Sequence, residues 1–147
     1  MKNTAIFLLL FSCFSCTSTA ENTSDMELNG FKEAIKHVHY LAKVSIVNVD
    51  IIHEDEDTDK QTYSAQVLAT YRGKAQKNIN FEMYVERGEE AMVNKTPIYI
   101  ALCMDNNGSY YWPGTGSQFS TSEAINTWLT KNKQAVRDMP TTGNWCN

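Results

Sequence analysis

Apolar residues fall on every second position through three consecutive runs, which commits the middle of this chain to β-strands. In "TYSAQVLATY" Tyr63, Ala65, Val67, Ala69 and Tyr71 share one face, opposite Ser64, Gln66, Leu68 and Thr70. In "NINFEMYV" Ile79, Phe81, Met83 and Val85 alternate with Asn80, Glu82 and Tyr84. The run from Tyr40 to Ile52 begins with Ala42, Val44 and Ile46 on one parity. It continues with Val47, Val49 and Ile51 on the other. A phase change between Ile46 and Val47 predicts a β-bulge that bends one long strand and keeps its apolar face inward.

Two further strands follow a connection that ends at Pro97. "IYIALCM" (98–104) is apolar on both parities, the pattern of a strand covered on both faces. The Asn107-Gly108 dipeptide then predicts a hairpin turn into "SYYW". Helical periodicity flanks the strands. Leu28, Phe31, Ile35 and Val38 recur at steps of three and four, and Ser24-x-x-Glu27 offers a capping box. A second helix opens at Ser120-x-x-Glu123 with Ala124, Ile125, Trp128, Leu129, Ala135 and Val136 on its apolar face. These elements predict a mainly β fold with flanking helices. It is a five-stranded OB-like antiparallel barrel with a short N-terminal helix and a C-terminal helix.

"LAKVSIVNVD", "YSAQVLATYRGKA", "NINFEM" and "PIYIALCM…GSYYW", in that order, resemble the netrin-like modules, relatives of the tissue inhibitors of metalloproteinases. The resemblance spans roughly 38–119 and rests on strand order and the Tyr71-x-Gly73-Lys74 turn. It implies an OB-type barrel. Inhibitors of that family clamp a protease zinc with a mature N-terminal Cys-x-Cys. Here the N-terminal pair is Cys13-x-x-Cys16, one residue wider and inside the export segment, so that device does not carry over.

The first residues decide the compartment. Lys2 precedes an uncharged apolar run from Ala5 to Phe14, and small residues follow, the pattern of a secretory signal. The run is shorter than the roughly 20 residues a membrane span needs. Three processing sites compete. Ser18-Thr19-Ala20 favours cleavage before Glu21; Leu10-Phe11-Ser12-Cys13 and Cys13-Phe14-Ser15-Cys16 are lipobox-like and would place lipid on Cys13 or Cys16. Cleavage at Glu21 or lipidation at Cys16 leaves the even pair Cys103 and Cys146. The preferred reading makes 1–20 a signal peptide, 21–25 a flexible start and 26–147 a single netrin-like/OB-like domain. Export makes a Cys103–Cys146 disulfide expected, with Cys146 pinning an unpatterned tail to the fourth strand.

Charge narrows the partners. The net formal charge is −4, and because residues 1–20 hold only Lys2 the remainder carries −5. That is no footprint for nucleic acid.

Candidate chemistry is sparse. His37-x-His39 has the geometry of some metal sites but no accompanying ligand spacing. Both read as partly exposed residues at a helix–strand junction, and His53 stands apart. Asp55, Asp57 and Asp59 start like a calcium loop, but Lys60 and Gln66 stand where Gly and Glu are required. They read as an acidic solvated turn. Gly114-x-Gly116 lacks the rest of a phosphate loop, and Glu89-Glu90 sit in an exposed connection. Catalytic signatures are missing, and no metal or cofactor is expected.

The aromatic cluster Tyr110, Tyr111, Trp112 and Phe119 is the binding candidate. Tyr110 and Trp112 share a face that Tyr111 opposes. They form either a contact surface or a plug of the barrel. The leading expectation is an exported, non-enzymatic binding or adaptor module of the cell envelope, with a protein or other envelope ligand as partner. A protease inhibitor and a small hydrolase are the alternatives.

Overall fold

The computed structural model of the chain describes residues 19–93 and 95–146. Cys13, Cys16 and the export segment up to residue 18 lie outside the described residues. The elements run α1 (Thr19–His37), β1 (Tyr40–His53), β2 (Thr58–Arg72), β3 (Asn78–Glu86), β4 (Ile98–Met104), β5 (Tyr110–Tyr111), β6 (Gln118–Ser120) and α2 (Glu123–Asp138). The sheet order β1-β2-β3-β5-β4, with β4 returning to β1, closes a five-stranded barrel, and β6 pairs with the outer part of β4. Four barrel seams are antiparallel; β3–β5 is parallel and only two residue pairs long. No helix among the described residues is long and apolar enough to cross a membrane.

β4 is the hinge of the packing. Ile98, Ile100 and Leu102 face the barrel interior with Tyr40, Ala42, Val44, Tyr63, Phe81 and Met83. Tyr99, Ala101 and Cys103 face a second core under the helices, built on Phe31, Ile35, Ile125, Leu129 and Val136. Both parities of the strand are therefore apolar because each serves a separate core. Phe31 centres the second core, with rings of Tyr99, Phe119 and Trp128 at 5.6, 5.2 and 6.1 Å.

The bulge falls where the alternation changes: the β1–β2 register shifts between Ile46 and Asn48. Its consequence differs from the expectation, because β1 runs past the barrel. β4 begins at Ile98, opposite Val44, so the far half of β1 pairs with β2 alone. Val49 still packs against the barrel core, but Val47 is 70% and Ile51 49% exposed.

The helix ends also differ from the capping motifs. α1 already starts at Thr19, so residues 21–25, expected as a flexible start, are helical. No Gly or Pro interrupts that stretch. Glu27 Oε1 instead accepts from the Ser120 backbone N–H at 3.0 Å and from its hydroxyl at 2.5 Å, joining α1 to β6. The N-cap of α2 is Ser122, whose Oγ accepts from Ile125 N–H.

Two devices hold the tail. Cys103 and Cys146 form a disulfide with Cα atoms 5.2 Å apart, a bond compatible with an extracytoplasmic location. Buried Arg72 donates through Nη1 to the Ile35 carbonyl at 2.5 Å and through Nη2 to Thr141 Oγ1 at 2.7 Å. Its charge sits at the negative end of the α1 dipole.

Candidate functional site

A cleft of about 820 Å³ opens between the β2–β3 turn and the β4–β5 turn. Both walls follow from local sequence. Gly73 ends β2 with φ +84°, and a Cβ there would lie 2.7 Å from Tyr40 Cδ2 and 3.1 Å from the His39 carbonyl. Only glycine lets the turn pass so close to the start of β1. On the other wall, Asp105 Oδ1 accepts from the backbone N–H groups of Asn107 and Ser109 at 2.9 and 2.8 Å. Gly108 completes that turn at φ +85°.

β5 explains why the space is open. It meets β3 only at Phe81 and Glu82, so Asn78 and Asn80 are exposed beside the gap. Gln76 Nε2 donates to the Tyr110 hydroxyl at 3.1 Å. Of the titratable side chains lining the cleft, Glu82 and His39 are engaged in the fold, while Lys74 is exposed at the β2–β3 turn. Glu82 is paired with Lys60 at 2.7 Å, and that bond holds the Lys60 amine above its ordinary pKa. His39 Nδ1 accepts from the Met104 backbone N–H at 3.1 Å, leaving Nε2 to carry the ring proton. Carboxamides, a phenol and the Lys74 ammonium remain. The carboxamides and the phenol donate and accept hydrogen bonds, and the ammonium only donates.

The aromatic candidates are divided between the two cores. Tyr110 packs in the barrel against Tyr40, ring centroids 4.7 Å apart, and burial pushes its phenol pKa up. Trp112 packs against the same core. Tyr111 is half-buried against the helix-side core, and Phe119 is buried within it. The opposed faces of 110/112 and 111 are as the strand pattern predicts. Tyr110 is the one of the four that lines the cleft.

The three histidines serve three places. His37 stacks on Trp145 at 4.8 Å and pairs with Glu33 at 3.1 Å. His39 reaches the cleft, and its ring nitrogen lies within 4.8 Å of the sulfurs of Cys103 and Cys146, which are bonded to each other. His53 Nδ1 lies 2.5 Å from Asp59 Oδ1 at the β1–β2 hairpin. Asp55 and Asp57 are exposed, as an acidic turn predicts. Asp59 is not: it is 2% exposed and its Oδ2 accepts from Gly88 N–H at 2.9 Å. Gly114 and Gly116 both turn at positive φ.

Gln76, Asn78 and Asn80 were not legible as site residues. Polar positions on an alternating strand read as ordinary solvent-facing ones. The available signal was the Asn-Gly turn, which marks the opposite wall. No known protein-family model matches the chain, and no curated protein matches it significantly.

Proposed function

We propose that this chain is an exported, non-enzymatic binding or adaptor module of the cell envelope, periplasmic or secreted after cleavage before Glu21, with the cleft beside Tyr110 as its ligand site. The observation that carries the reading is the composition of that cleft. Lys74, Gln76, Asn78, Asn80 and the Tyr110 hydroxyl face an open space of ligand size, while His39 and Glu82 are engaged in structural bonds. Such a surface, set between two glycine turns, suits recognition of polar groups, and the Lys74 ammonium favours neutral or anionic ones over cationic ones. The barrel order and the Gly73 turn also support the netrin-like resemblance, which belongs to this proposal. The disulfide supports the extracytoplasmic part.

A photo-crosslinking residue placed at Asn80, in the cell envelope of the native host, tests the site. The expected outcome is a discrete adduct at position 80 that is missing when the same residue replaces exposed Lys133 on α2. Equal adduct patterns at the two positions would remove the cleft from consideration.

A further inference from the structure

We propose that the open edge of β1, residues 45–53, takes up an extended peptide that alternates apolar and basic residues, adding it to the sheet as a further strand. β4 leaves β1 at Val44, and beyond it every backbone pairing of β1 among the described residues is with β2. The opposite edge of "SIVNVDIIH" is therefore a run of backbone donors and acceptors facing outward. Folded proteins usually blunt such an edge with lysine, proline or a covering loop. This segment contains neither lysine nor proline, and its one bulge lies near its start, at Val47.

The side chains on this edge supply contact on both faces. Val47, Ile51 and Ile52 are 70%, 49% and 56% exposed. Added strands gain affinity from main-chain hydrogen bonds and selectivity from alternate side chains. Charge decides which strand fits. Residues 48–60 hold six carboxylates and one lysine, and that Lys60 is paired with Glu82. Asp50 lies on the edge strand itself, and Glu54, Asp55, Glu56 and Asp57 are exposed at its end. A basic peptide meets carboxylates at Asp50 and at the Glu54 to Asp57 end of the edge, whereas a second copy of this edge would double the carboxylate charge along one seam.

Two labelled nonapeptides test the idea with the oxidised mature protein: alternating valine and lysine, and alternating valine and glutamate. Binding by the lysine peptide about tenfold tighter or more, with slowed amide exchange confined to residues 45–53, is the expected result. Val47→Lys and Ile52→Lys, at exposed positions, should each weaken that binding about tenfold while leaving the melting temperature in place. Equal affinity for the two peptides, no binding of either, or protection elsewhere in the sheet would overturn the proposal. So would concentration-dependent dimerisation that protects β1 without peptide, which would give the edge to a second copy.

Discussion

Asp59 illustrates how one side chain departs from the pattern around it. Four of its acidic neighbours stay in water, yet its own carboxylate is drawn under the 86–90 loop. There the Gly88 N–H, followed by His53, holds its pKa below the ordinary 3.8. A depressed carboxylate pKa means the folded state takes up this proton less readily than the unfolded chain does. The stabilisation is therefore complete above the unfolded value and is lost as pH falls through the lower, folded one. Melting temperatures of the wild type and Asp59→Asn should differ from neutral pH down to about pH 4 and converge only as pH falls further. A difference that persists unchanged into acid would show that the carboxylate charge is not what fastens the loop. Alternation in the sequence placed Asp59 on the inward parity with Gln61 and Tyr63. The carboxylate's charge, and two aspartates at the same spacing before it, masked that signal.

Among the elements, β5 is the shortest seam of the barrel and depends on its side chains more than on its ladder. The pairing with β3 covers two residues, extended by the Trp112 N–H to the Glu82 carbonyl at 2.8 Å. Tyr110 and Trp112 anchor the segment by packing into the barrel core. The indole Nε1 is buried and finds no partner among the described residues, so truncation there removes packing and no side-chain hydrogen bond. Trp112→Ala should cost about 3 kcal/mol, the low end for a large aromatic because the ring is only half-buried. Denaturant unfolding measures this. A loss under about 1 kcal/mol would mean that the ring packs little and would return it to the list of contact residues. The bulge at Val47 was legible because a one-residue slip moves every later side chain to the other face. The length by which β1 outruns β4 was not legible, since it depends on where a strand fifty residues away begins.

At the scale of the whole molecule, the disulfide joins residues 43 apart and closes the chain around β5, β6 and α2. In the chain-entropy account a loop of that size restricts the unfolded state by about 4 kcal/mol. Cys146→Ser should therefore lower the melting temperature by roughly 15 °C for a domain of this size. Part of that loss is tempered because Arg72 and the His37–Trp145 stack still hold the tail. Two free thiols titrating in the native, non-reduced protein would refute the bond. The places of the five barrel strands, the bulge, the presence of both helices and the cysteine pair were determined by the sequence alone, because periodicity and turn chemistry act over a few neighbouring residues. The tertiary structure alone decided that the aromatic run divides between two cores, that Glu27 ties a helix to a strand, and that a polar cleft opens beside Tyr110. Each of these depends on which distant segments meet, and hydrophobic alternation marks a buried face without marking what it is buried against.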